Sequence, residues 1–217
     1  MKVVSNKELR KIPVYENGEK LVNLKDFSKK ILIDIDPMSR KMQKLKKGVC
    51  YVREGVAKRL VKAQKRLPRG CHLKIEWAYH NIEVQRKVYL GVRKSLKRKN
   101  PSWSEKKLIK ETELMVAPPD IAPHVIGAAV DLTIADKSGK NLDMGQRSQA
   151  YTKASYTNSS KISKEAQKNR QMLIRTMGKA GFVNYPVEWW HWSYGDRDWA
   201  VAKGRKRAIY GPLESFG

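Results

Sequence analysis

Apolar residues recur at spacings of three and four from Val52 through Val56, Leu60 and Ala63 to Leu67, with Lys and Arg between them. That is the period of an amphipathic helix, and Pro68-Arg69-Gly70 stops it. The period then changes to two. Leu73-Lys74-Ile75-Glu76-Trp77-Ala78-Tyr79 alternates and predicts a strand. A helix is expected after His80, running through Val84, Val88 and Val92 to Lys97-Arg98-Lys99, where Asn100-Pro101 breaks it. Ser104 to Val116 predicts another helix, ended by Pro118-Pro119. Ala128 to Asp136 is the second clear strand. Val130, Leu132 and Ile134 share one face of it, and Ala129, Asp131 and Thr133 the other. Asp136 to Lys140 reads as a turn, and the polar, Ser/Thr-rich stretch 146–162 as a loop. Ser163 can cap a helix that ends near Gly181. Glu188 to Tyr194 predicts the last strand. Residues 1–37 read as irregular, with short extended pieces such as Ile31-Leu32-Ile33. Helices and strands mix without regular βαβ alternation, so the expected class is α+β, a mainly antiparallel sheet flanked by helices. The length suits one domain over 1–217, with 1–24 as an N-terminal extension.

Composition narrows the setting. Hydrophobic residues make up 41% of the chain and there are six Trp, which indicates a globular chain with a core. No stretch approaches the roughly 18 apolar residues of a membrane span. The start, MKVVSNKELRKIPVYENGEK, is basic but has no apolar segment of the secretory kind, so the expected location is cytoplasmic. Cys50 and Cys71 do not form a Cys-x-x-Cys pair and read as free thiols.

Charge adds a further feature. Forty-six Lys and Arg against 21 Asp and Glu give +25, and residues 38–66 hold 11 of the cations with Glu54 as their single acid. Such a field suits polyanion contact through the basic surface. A solvated cationic exterior gives the same count, and none of the usual nucleic-acid-binding motifs is present.

Two short segments hold the candidate chemistry. Pro123-His124-Val125-Ile126-Gly127-Ala128-Ala129-Val130-Asp131 supplies an imidazole and a carboxylate. Val187-Glu188-Trp189-Trp190-His191-Trp192 supplies the second of each. Two His and one Asp leave one position of a tetrahedral zinc open, the pattern of a catalytic site, and the remaining Glu188 is suited to proton transfer. Asp131 inside a strand is costly to bury unpaired. A metal resolves that cost, and so do backbone amides. His124 alone fits an ordinary loop histidine, and Trp189-Trp190-His191 alone fits a core strand. In a regular strand, positions three apart point to opposite faces. Glu188 and His191 therefore converge only across a bend or bulge, or with Glu188 just outside the strand.

The order His-x6-Asp, then Glu-x-x-His, resembles the zinc D,D-peptidases, and the longer text resembles the VanX-type D-alanyl-D-alanine dipeptidases. The supporting pieces are His124 to Thr133, Leu142-Asp143-Met144-Gly145, Glu165-Ala166-Gln167-Lys168-Asn169-Arg170 and Ala180 to Trp192, with Tyr51 to Ala57 as a further match. The similarity runs from about residue 25 to 200. It implies the hedgehog-like fold of that family and one Zn2+ per chain on His124, Asp131 and His191. It also implies Glu188 as general base and a small peptide ending in D-Ala as substrate. A free D-Ala-D-Ala dipeptide would be cut to two D-alanines. A relaxed carboxypeptidase acting on longer wall fragments is the alternative, and an inactive basic binding module the further one.

Two positions depart from the resemblance. Where the family has Tyr-Arg-Pro, this chain reads Tyr79-His80-Asn81, so His80, if protonated, would have to stabilise the oxyanion that Arg normally faces. Arg86 or Arg93, from the following helix, is the other cation within reach. After Met144-Gly145 the chain continues Gln146-Arg147-Ser148-Gln149. Gln149 therefore stands where the family carries an Asp for the substrate ammonium, and a neutral amide gives no charge-assisted bond. Tyr151, Tyr156 and Trp77 are candidates to line the pocket or simply to pack.

Overall fold

The computed structural model describes residues 3–213. In chain order they form α1 (Asn6–Leu9), β1 (Leu21–Asn23), β2 (Leu32–Ile33), α2 (Pro37–Met42), β3 (Tyr51–Arg53), α3 (Glu54–Gln64), β4 (His72–Trp77), α4 (Ile82–Lys99), α5 (Glu105–Met115), β5 (Ala129–Ala135), α6 (Lys164–Lys179), β6 (Val183–Asn184), β7 (His191–Ser193) and α7 (Arg197–Ala202). The main sheet has the order β2-β4-β5-β7-β6. β2 lies parallel to β4 and every other pairing in the sheet is antiparallel, so the class is α+β as the pattern predicts. β1 and β3 make a separate antiparallel pair.

β5 is the spine. Its Val130, Leu132 and Ile134 are fully buried on one face, opposite Leu73 and Ile75 of β4. Each such side chain contributes about 1.5–3 kcal/mol on leaving water. α3 and α6 pack together and bury Val56, Ala57, Leu60, Ala63, Leu173 and Met177 in the same core. The other face of β5 is also covered: Asp131 and Thr133 are buried. That face carries the site. α4 and α5 pack on each other, but α4 buries only Val84 and Gln85 and leaves Leu90 58% exposed, so this hairpin stands at the rim.

The stretch read as irregular contains α1, β1, β2 and the start of α2. Asp36 caps α2, and Pro37 occupies its first position, where its missing N–H costs nothing. The segment read as an extension is tied to the body at Arg53. The buried guanidinium pairs with Glu16 at 2.9 Å and donates to the carbonyls of Glu19, Ile126 and Gly211. The expected last strand is shorter than Glu188–Tyr194, and α7 follows it. The reason is local. Asn184 donates its side-chain amide to the carbonyls of Glu188 and His191, and the Trp189 N–H goes to the Ser155 carbonyl, so these groups are satisfied outside the ladder. Cys50 and Cys71 are free thiols. No helix among the described residues is long and apolar enough to cross a membrane.

Candidate metal centre

Three segments bring the ligands together. His124 lies on a single 3-10 turn, Pro123–Ile126. Gly127 ends that turn at φ +68°, where an added Cβ would meet Leu21 at 2.4 Å and the Arg53 amide nitrogen at 3.2 Å, so glycine is required. Arg53 holds the turn from outside, through Nε to the Ile126 carbonyl at 2.8 Å and its own N–H to the Gly127 carbonyl at 2.9 Å. Asp131 on β5 sits directly opposite His191 of β7. Cross-strand partners present their side chains on the same face.

The donor atoms converge. His191 Nδ1 is 2.9 Å from Asp131 Oδ1, and His124 Nε2 is 3.3 Å from both Asp131 Oδ1 and His191 Nδ1. His124 Nδ1 lies 3.0 Å from the Ala78 carbonyl, which fixes the proton on Nδ1 and turns the Nε2 lone pair inward. Gln149 Nε2 donates to Asp131 Oδ2 at 2.6 Å, and the Tyr151 hydroxyl donates to Gln149 Oε1 at 2.6 Å. Thus one oxygen of Asp131 faces the imidazoles and the other is held from outside. Gln149 and Tyr151 adopt φ +61° and +33°, left-handed backbone that a non-glycine residue takes at a cost of about 1–3 kcal/mol. This is local strain in the segment that grips the carboxylate.

Electrostatics match that packing. Burial pushes the Asp131 carboxyl up, but the facing His124 and His191 outweigh it and hold the group well below the usual carboxylate range. Burial lowers His191, and the bond and charge of Asp131 more than reverse it, so its pKa is raised. Two ring nitrogens aimed at one carboxylate oxygen from 3.3 Å or less need a proton or a metal ion between each nitrogen and the oxygen. Two imidazoles and a carboxylate, with a cavity on the open side, suit zinc.

Glu188 stands just outside β7. A turn closed by the His191 N–H to the Glu188 carbonyl at 3.2 Å carries it onto the face of His191, so no bulge within the strand is needed. Its carboxyl is buried. Burial, followed by the charge of Asp131, pushes its pKa well above the carboxylate range. Trp189, Trp190 and Trp192, which follow it in the chain, are buried in the core. Arg170, itself buried, clamps the loop before α6 through the carbonyls of Met144, Ala154 and Tyr156.

A cavity of about 690 Å³ opens over these groups. Trp77, Tyr151 and Tyr185 line it, whereas Tyr156 is 51% exposed. His80 also lines it, stacked on His124 with centroids 5.3 Å apart. Its Nε2 is 2.6 Å from Gln85 Oε1, and Gln85 Nε2 donates to the Ala117 carbonyl at 2.7 Å. The amide orientation therefore places the His80 proton on Nε2, pointing at Gln85. Burial, then the charge of His124, lowers the ring to about 4, so it is neutral near pH 7. It does not present the charged donor that the sequence reading required. Arg86 pairs with Glu83 at 2.5 Å on the exposed side of α4, and Arg93 pairs with Glu105. Neither lines the cavity; Arg147 does, and among the described lining residues it is the only Lys or Arg. Sequence reading missed Arg147, since nothing in a polar loop marks one cation among many. It also missed Glu76, although the alternation of β4 puts Glu76 on the side opposite Ile75.

Fold and site together bring two His and one Asp, a donor set that could hold a metal ion, to one face of a mainly antiparallel sheet. The family described as D-Ala-D-Ala dipeptidase, of the M15 peptidases, matches residues 35–205, and the chain belongs to that family. A D-alanyl-D-alanine dipeptidase of Synechocystis sp. is 38% identical over 106 residues, 44% of this chain and 43% of that protein. The D-alanyl-D-alanine dipeptidase of Escherichia coli is 38% identical over 68 residues, 31% of this chain and 35% of that protein. The matched stretches thus span less than half the length of either relative. A solved structure described as VanYB in complex with D-Alanine-D-Alanine aligns with TM-score 0.48 and 16% identity, over 74% of this chain and 82% of that one.

Proposed function

We propose that this chain is a zinc-dependent peptidase that hydrolyses D-Ala-D-Ala to two D-alanines. The observation that carries the reading is the convergence of His124 Nε2, Asp131 Oδ1 and His191 Nδ1 within 3.3 Å beside the buried Glu188. Zinc on these three ligands supplies Lewis-acid polarisation of a carbonyl and lowers the pKa of water toward about 7. Glu188 takes the proton from the attacking water and returns it to the leaving amine. Charge compensation at Asp131 brings the raised Glu188 carboxyl down toward that task. Gln149 fixes the direction of Asp131. His80, neutral and bonded to Gln85, backs the His124 ring as a positioning residue. Arg147, and neither Arg86 nor Arg93, is the cation available to an anionic group of the substrate. With a free wall-precursor dipeptide as substrate, the reading assigns the reaction to the cytoplasm. The basic exterior is suited to nearby anionic polymers.

A second reading, a relaxed D,D-carboxypeptidase, is favoured by one observation. Gln149 is spent on Asp131 and offers the substrate no charge. The test is D-alanine release from free and N-acetylated D-Ala-D-Ala by the zinc-loaded protein, with Glu188→Ala as control. Cleavage of the free dipeptide, lost in the control, is the expected result. Preferential cleavage of the blocked peptide moves the assignment to the carboxypeptidase. Stoichiometric zinc with neither peptide cut overturns both.

A further inference from the structure

The chain has 46 Lys and Arg, yet six carboxylates along the cavity have no ion pair to any of them among the described residues: Asp36, Glu76, Glu113, Asp131, Glu188 and Asp198. The metal centre accounts for Asp131 and proton transfer for Glu188. Asp36 caps α2, Glu113 accepts from Asn6, and Asp198 lies in the first turn of α7; Glu76, the one beside Asp131 on β4, has no assigned task.

Its placement is specific. Glu76 sits at the irregularity in β4 between Ile75, which pairs with Leu132, and Trp77, which pairs with Asp131. Ile75 is fully buried in the core, so Glu76 projects on the opposite side of the sheet, the side of Asp131. Adjacent strands lie about 4.8 Å apart, which puts Glu76 roughly one strand spacing from the metal ligand. Consecutive loop residues steady the two carboxylates: Ser148 Oγ donates to Glu76 Oε2 at 2.6 Å, and Gln149 Nε2 donates to Asp131 Oδ2 at 2.6 Å. Glu76 Oε1 has only a 3.4 Å contact from Asn141. That oxygen keeps most of its accepting capacity. Lys74, the nearest cation along β4, is drawn away to Asp34 at 3.0 Å. The carboxylate is therefore oriented and left without an ion pair on the wall of the cavity.

We propose that Glu76 is the specificity-determining carboxylate that receives the free α-ammonium of the peptide substrate. The inference rests on the reading of this cavity as a site for short D-Ala peptides. In a dipeptide the ammonium nitrogen is two bonds from the scissile carbonyl carbon, so it must be bound close to the metal centre. Glu76, one strand away, meets that requirement. A longer or blocked peptide has a neutral amide at the same point and gains nothing from the charge.

The test is equilibrium binding by calorimetry to zinc-loaded Glu188→Ala protein, which holds substrate without turning it over. The probes are free and N-acetylated D-Ala-D-Ala, with and without the added Glu76→Gln change. Gln keeps the shape and can still accept from Ser148. The expected result is preference for the free dipeptide by about tenfold or more, the worth of one charge-assisted bond, abolished by Glu76→Gln, with N-acetyl binding within about twofold throughout. Equal weakening of both probes makes Glu76 structural and overturns the proposal. So does a preference that survives the change, or no preference at the start. Loss of D-alanine release by wild-type protein is a separate result: it removes the peptidase reading, while the binding preference stands or falls on its own.

Discussion

The cavity has two walls built on different principles. On the sheet wall, Asp131 and His191 face each other because β5 and β7 pair in one register. On the loop wall, Gln149 and Tyr151 hold left-handed backbone and are kept in place by side-chain bonds and by Arg170 beneath them. The sheet wall sets which atoms meet, and the loop wall sets how each is aimed. The first is over-determined by core packing. The second depends on a few polar contacts and can be altered one residue at a time.

Three experiments separate the walls. Asp131→Asn attacks the sheet wall and has the largest expected effect. The variant should lose stoichiometric zinc, measured by metal analysis after dialysis. Its activity should fall by more than the about 10- to 100-fold that removal of a metal ligand's outer partner costs. Gln149→Ala attacks the loop wall. Zinc affinity, measured by competition with a chelator, should weaken about 10- to 100-fold while the fold and its thermal midpoint change little. Unchanged affinity would mean that Asp131 is aimed by the strand alone.

The smallest effect concerns His80, behind both walls. Its pKa is lowered to about 4 in the folded chain, by burial and then by His124. The unfolded chain binds that proton near 6.5, so stability falls as pH drops from about 6.5 to about 4. The loss reaches at most about 3 kcal/mol. His80→Gln should flatten this dependence in urea unfolding of metal-free protein at pH 7 and 4.5. It should leave no trace in the pH–rate profile between 6.5 and 8, where the ring is already neutral. A limb in that range belonging to His80 would restore a charged role for it.

Much of the fold was legible because periodicity reports burial. The alternation of β4 and β5 and the three-four spacing of α3 follow directly from which faces meet the core. Other short elements were not: β1, β3 and β6 are two or three residues long, too brief for a period to show, and they exist through their partners. In the site, His124, Asp131, Glu188 and His191 were readable as residue types in order, and the structure brings all four to one cavity. Arg86 was misplaced because helical phase alone does not say which side of α4 faces the sheet. Arg86 falls on the solvent side with Glu83.

The amino-acid order by itself determined the class of fold and the residue types and order of the candidate site, because these depend on residue chemistry and local period. Only the tertiary structure decided the partners of Gln149, His80 and Glu76. An amide can serve a substrate or a metal ligand, a histidine can be charged or neutral, and a carboxylate can be paired or left open. Each choice follows from which groups lie within about 3 Å, and those groups come from distant parts of the chain.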